Sequence, residues 1–261
     1  MREHHARAIA KLTERYRDNP RYLAMLIGGS VAKELAVDSS DIDFMLIATD
    51  EEYAERMKTK NVHEWGRGIC DYEGGYIDGK VMNLAWFESA ADHGSEPTRF
   101  SFVDALIAFS RIPGLENLIK RITAYPERER EEKIRAFCVQ MELAGFFIDE
   151  AVKRGDRYLL MHGITELVLY GSRMILARNR MLYPYHKWMM TQLKKAPDKP
   201  DGIVELAESL LRDPDRARAH EFRTRILEFA GWNGDEENWL DRVVVEDEWR
   251  WLTGTPPLPD R

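Results

Sequence analysis

The sequence predicts an α+β protein, in which a mixed β-sheet domain spanning residues 1–124 is followed by an all-α helical bundle domain spanning residues 125–261. Three observations carry this. Short apolar runs with strand character alternate with short helical stretches from Leu23 to about Ile122. A break at Ala124-Tyr125-Pro126 is followed by the charged run Glu127 to Lys133. Beyond it, apolar residues recur every three or four positions, which is the period of a helix with one buried face.

Arg2 to Arg17 has helical composition and stops at Asn19-Pro20, where proline cannot continue the helix. Leu23 to Ile27 reads as a strand, Gly28-Gly29-Ser30 as a turn, and Val31 to Ala36 as helix-compatible. Ile42, Phe44, Leu46 and Ile47 mark a second strand, and Tyr76 to Leu84 a later one. In the second half, Ile134, Phe137, Cys138, Met141, Ala144, Ile148, Ala151 and Val152 follow helical spacing. Lys153, Arg154 and Gly155 close that helix, the cations complementing its dipole and the glycine permitting a left-handed cap. A second helix runs through Leu160, Ile164, Leu167, Met174 and Ile175 and ends before Pro184. Further helices cover roughly 202–211 and 216–229, and the proline-rich 253–261 stretch is expected to be a loose end.

The stretch from Gly28 to Phe44 carries the chemistry. Asp41 and Asp43 are two apart in a strand, so they share a face. Two carboxylates at that spacing repel unless a cation lies between them or one is protonated. Mg²⁺ is the economical resolution, because it prefers carboxylate oxygens and shares its shell with substrate phosphates. The backbone amides of Gly28, Gly29 and Ser30, leading into a helix, form an anion nest for those phosphates. Metal and nest together specify a bound nucleoside triphosphate.

Ile27, Gly28, Gly29, Ser30, Asp41, Ile42, Asp43 and Phe44 resemble the signature of the DNA polymerase beta-type nucleotidyltransferase superfamily: an apolar residue, Gly, Gly or Ser, a spacer, then Asp-apolar-Asp-apolar. The resemblance covers the first third of the chain and implies a palm-like sheet domain. It also implies metal-dependent transfer of a nucleoside monophosphate, AMP from ATP, with a two-metal Mg²⁺ site. Many members carry a basic residue and then glycine after Ser-x-Ala, whereas here Lys33 is followed by Glu34, so Lys33 keeps a cation near the phosphates. The palm followed by helices resembles kanamycin nucleotidyltransferase and related small-substrate enzymes, which implies a hydroxyl acceptor of aminoglycoside type.

Two-metal chemistry in this superfamily uses a third acid from a later strand. Asp78 is the choice here; on one strand it shares a face with Lys80, so the two address metal and phosphate together. The rival reading makes Asp78-Gly79 a hairpin turn, as that dipeptide favours, and puts Asn83 in the acid's place. Arg99, in a predicted loop, is a further candidate for the triphosphate. Glu142 and Glu166 lie on predicted helices, and Glu142 loosely resembles the helical glutamate assigned as base in kanamycin nucleotidyltransferase. The aromatic and basic run Arg178 to Trp188 reads as a pocket wall or a packed helix end. Its Arg180 and His186 also resemble the Arg-x4-6-His spacing of HEPN ribonucleases.

Bulk composition narrows the acceptor. With 38 Lys and Arg against 45 Asp and Glu the net charge is -7, which argues against a nucleic-acid partner and favours a small-molecule acceptor. No apolar run approaches the ~20 residues that cross a bilayer, so no membrane partner is expected. Cys70 and Cys138 are far apart and no signal-peptide pattern precedes them, so reduced thiols in a cytoplasmic protein are expected. The sequence leaves room for a homodimer. Two alternatives stand beside the small-molecule reading: a protein AMP-transferase of the antitoxin type, and a catalytically degenerate nucleotide-binding module.

Overall fold

The computed structural model describes residues 1–232 and 238–254, so most of the proline-rich tail lies outside the described residues. The chain divides into two compact units, Met1–Ala124 and Tyr125–Arg261. In the first unit the order is α1 (Glu3–Arg17), β1 (Tyr22–Ile27), α2 (Gly29–Ala32), β2 (Ile42–Ala48), α3 (Asp50–Thr59), β3 (His63–Gly66), β4 (Ile77–Asn83), α4 (Leu84–His93), α5 (Glu96–Ser101), β5 (Leu106–Ser110) and α6 (Leu115–Thr123). The predicted helix Val31–Ala36 is thus a single turn that starts earlier, and Asp41 stands just before its strand rather than in it.

The five strands form one mixed sheet in the order β3-β4-β2-β1-β5. Only β2 and β4 run parallel, with Asp43 beside Asp78 and Ala48 beside Asn83. Alternation along the strands gives the sheet two faces. On one, Phe44, Leu46, Ile77 and Val81 pack with Ala8, Leu12 and Tyr16 of α1. On the other, Met45, Ile47 and Met82 pack with Phe87 and Ala90 of α4, Phe102, and Leu115 and Ile122 of α6. Asp43, Asp78 and Lys80 follow the alternation of this second face at the end where β2 and β4 begin.

The Asp78-Gly79 pair is not a turn. Gly79 pairs with Phe44 inside β4, and a Cβ there would lie 2.1 Å from the Phe44 ring. The glycine is present because an aromatic ring crosses its strand, a packing cause indistinguishable in sequence from a turn signal. Asn83 lies at the other end of β4, where its side chain caps α4 by accepting from the Trp86 amide and donates to Asp50.

In the second unit α7 (Arg130–Arg154) and α8 (Arg157–Arg178) are long neighbours, followed by α9 (Met189–Lys195), α10 (Ile203–Arg212), α11 (Arg216–Ala230) and α12 (Trp239–Val243). Phe137, Met141, Ile148, Leu167, Ile175 and Phe222 share one core. Gly163 and Gly171 allow close packing: a Cβ would fall 2.8 Å from Ile148 and 2.6 Å from Phe222. No helix among the described residues is long and apolar enough to cross a membrane.

Candidate active site

β1 delivers the chain to Gly28, whose amide donates to the Asp43 carbonyl at 2.9 Å and ties the turn to β2. Gly29 then takes the left-handed conformation, φ +62°, which glycine adopts without steric cost. A Cβ on Gly29 would sit 1.6 Å from Asp43 Oδ2, so the carboxylate lies directly on the turn. Gly28 has no side chain to cap the first turn of α2, whose leading amides have no intrahelical acceptor. The Ser30 hydroxyl is buried and has no hydrogen-bond partner.

Lys33 follows at the end of this turn. Its ammonium donates to the Val103 carbonyl at 2.6 Å and lies 5.2 Å from the centre of the Phe100 ring. Burial pushes its pKa down, and the carboxylates of Asp104 and Asp43 oppose that shift. Lys33 is therefore anchored to its own fold near Asp43 rather than extended into solvent. Glu34, which follows Lys33 where the superfamily pattern has glycine, has φ +59°. The departure keeps a left-handed backbone and adds strain that a glycine would not carry.

The other two acids each have a partner that the sequence did not single out. The Tyr76 hydroxyl bonds the Asp41 carboxylate, and that bond is the main cause of the raised pKa of the tyrosine. His63 Nε2 lies 3.1 Å from Asp78 Oδ1. Lys80 is exposed on the same face of β4 as Asp78. Tyr76 was accessible from sequence as the residue two before Asp78. His63 was not, because its contact is set by the β3–β4 register.

The donor chemistry suits Mg²⁺: Asp41, Asp43 and Asp78 supply only carboxylate oxygens, and the last two are adjacent in register. The close seat of Asp43 on Gly29 puts one of these carboxylates against the Gly28-Gly29-Ser30 turn. Among the described residues, however, no three His, Cys, Asp or Glu side chains converge as a ready metal cage.

Arg99 is buried, not a solvated loop residue; its Nε donates to the Gly94 carbonyl at 2.8 Å, Nη2 to Ala91 at 2.9 Å and Nη1 to Ile122 at 3.1 Å. It serves as a cap for the C-terminal ends of α4 and α6. In the second unit, Glu142 accepts from Arg223 at 2.9 Å, and Glu166 bonds Tyr170. Arg180 and His186 have separate partners, the first donating to Glu127 and the second facing the Tyr183 hydroxyl at 3.3 Å.

Comparison with solved structures gives a nucleotidyltransferase-like protein from Exiguobacterium sibiricum 255-15, with a TM-score of 0.50 at 14% identity, covering 92% of this chain and 79% of that one. The fold is nucleotidyltransferase-like. At that identity the likeness concerns the fold alone, and it does not extend to the kanamycin nucleotidyltransferase arrangement in particular. A family model described as "Domain of unknown function (DUF4037)" matches residues 101–189. The matched stretch begins in the first unit and ends in the second, and covers less than half of the chain. No curated protein matches.

Proposed function

We propose that the protein is a cytoplasmic, Mg²⁺-dependent nucleotidyltransferase that moves AMP from ATP to a hydroxyl of a small molecule and releases pyrophosphate. The observation that carries this reading is the contact of Asp43 with Gly29, which joins a carboxylate of the metal type to a turn of the phosphate-binding type. The amides of Gly29 and Ser30 and the Ser30 hydroxyl, which has no hydrogen-bond partner, hold phosphate oxygens, while the Gly28 amide is engaged by the Asp43 carbonyl and serves to fix the turn. Asp43 and Asp78, adjacent in register, would supply carboxylate oxygens to the metal, with Asp41 as the remaining acid. Bound Mg²⁺ withdraws charge from the triphosphate oxygens and lowers the barrier to attack. Lys33, fixed beside Asp43, adds positive potential without leaving its anchor on Val103. The acceptor oxygen bonds the α-phosphorus, the bond from that phosphorus to the β-bridging oxygen breaks, pyrophosphate keeps that electron pair, and the hydroxyl proton passes to solvent.

The test is a pair of labels. Label in the α position of ATP is expected in the acceptor and γ label in pyrophosphate; a kinase gives the reverse. Tight ATP binding with no α-label transfer to any compound of a cell extract would refute the reading. That result would favour a degenerate nucleotide-binding module, for which one observation speaks: Asp78 is already engaged by His63.

A further inference from the structure

The sheet sets four positions in a row. The Gly28 amide bonds the Asp43 carbonyl, Asp43 stands beside Asp78 across β2 and β4, and Asp78 stands opposite Trp65 across β4 and β3. With adjacent strands about 4.8 Å apart, the row is about 14 Å long, with carboxylates at its middle. Displacement at phosphorus is in line, so the attacking oxygen and the departing pyrophosphate lie on opposite sides of the reacting atom. A triphosphate held at the Gly28 end therefore leaves the acceptor at the Trp65 end.

That end is built of rings and cations. Trp65 is 58% exposed although it belongs to a strand. Its ring centre is 6.1 Å from that of Tyr76, whose hydroxyl bonds Asp41. The Arg67 guanidinium lies 5.9 Å from the Trp65 ring, and His63 and Lys80 are paired neighbours on the same side of the sheet. An exposed indole offers a flat apolar face with a polar edge, suited to stacking on an aromatic ring or on the C–H face of a sugar. With Asp41, Asp43 and Asp78 engaged by the metal of the proposed function, Arg67 and Lys80 disfavour a polycation and favour a neutral or anionic group.

We propose that Trp65, Tyr76 and Arg67 form the acceptor subsite, and that the acceptor is a ring-bearing hydroxyl compound, neutral or anionic, of the sugar-phosphate type rather than a polycationic aminoglycoside. The inference rests on the nucleotidyltransferase reading for the direction of attack. It replaces the aminoglycoside expectation with a class chosen by charge and shape.

Calorimetric binding of three sugars that differ in charge tests it, each measured with Mg²⁺ and a nonhydrolysable ATP analogue present: glucose 6-phosphate, methyl glucoside and kanamycin. The expected order is glucose 6-phosphate tightest and kanamycin weakest at millimolar concentrations. Trp65→Ala should weaken the first two about tenfold or more, a loss in the range of an interface anchor. Arg67→Glu should reverse the order of the two charged probes. Binding of the ATP analogue should be unchanged in both variants. Kanamycin binding best, no binding of either other sugar, or Trp65→Ala binding like wild type would overturn the proposal. These outcomes are separate from the label test: α-label transfer with a silent Trp65→Ala removes only the acceptor subsite. Trp65-dependent sugar binding without transfer removes only the catalytic reading.

Discussion

The Asp43 carboxylate rests on the Cα of Gly29, leaving so little room that a Cβ would stand 1.6 Å from Oδ2. Position 29 is thus doubly restricted, by its left-handed backbone and by its neighbour. Gly202 has a nearly identical φ, +65°, with nothing within 4 Å of a Cβ. Gly202→Ala should cost only the backbone term, ~1 kcal/mol. Gly29→Ala should cost more in a urea melt and should also abolish AMP transfer, because Asp43 must move. Equal effects of the two substitutions on stability and activity would show that the contact is incidental.

Asp43→Asn and Asp78→Asn should each reduce pyrophosphate release by orders of magnitude while leaving the melting midpoint within a few degrees of wild type. Removing one of two like charges does not destabilise the metal-free protein. Asn83→Ala should show the opposite pattern. It loses the cap of α4, at a cost of ~1 kcal/mol, and keeps its turnover. If Asn83→Asp raises turnover and Asp78→Asn is mild, the assignment of the third acid fails.

Arg99 bonds carbonyls near the ends of α4 and α6 from a buried position. Arg99→Leu leaves those carbonyls without a donor and should destabilise the first unit by ~3 kcal/mol. The KM for ATP should stay near wild type at temperatures where the variant is folded. A stable variant with a strongly raised KM would restore the arginine to the phosphate site.

His5, on α1, is completely buried with neither ring nitrogen hydrogen-bonded, and its ring centre lies 5.3 Å from that of Tyr72. Burial depresses its pKa below the ordinary 6.5, helped by the charges of His4, Arg2 and the N-terminus and opposed by Asp38. In the window below 6.5 the unfolded chain binds a proton that the folded chain refuses, so stability falls as pH is lowered, by up to ~1.4 kcal/mol per pH unit. His5→Leu should flatten that part of the stability-pH curve. An unchanged slope in denaturant melts between pH 7 and pH 5 would assign the acid sensitivity to other groups.

The alternation of apolar residues and the order Gly28-Gly29-Ser30 to Asp41-Ile42-Asp43 were enough to determine an α+β fold and to mark the turn and its carboxylates. Those features are local: side-chain period, turn chemistry and helix spacing depend on neighbours a few residues away. The first helix and the first two strands fall close to the positions their composition indicates. Gly79 left a turn open as the rival to the strand, and Arg99 read as a loop residue, for the same reason: the local sequence carries no sign of Phe44 or of the ends of α4 and α6, which are brought against them only in the fold. Register is not local. Which residue stands beside Asp78 is decided by a parallel pairing with β2, across more than thirty residues of intervening chain, and by an edge strand of four residues too short to carry its own pattern. The tertiary structure alone therefore placed Asp43 on Gly29, His63 on Asp78 and Trp65 at the end of the row, because only packing of the whole sheet fixes which strands meet and at which residue.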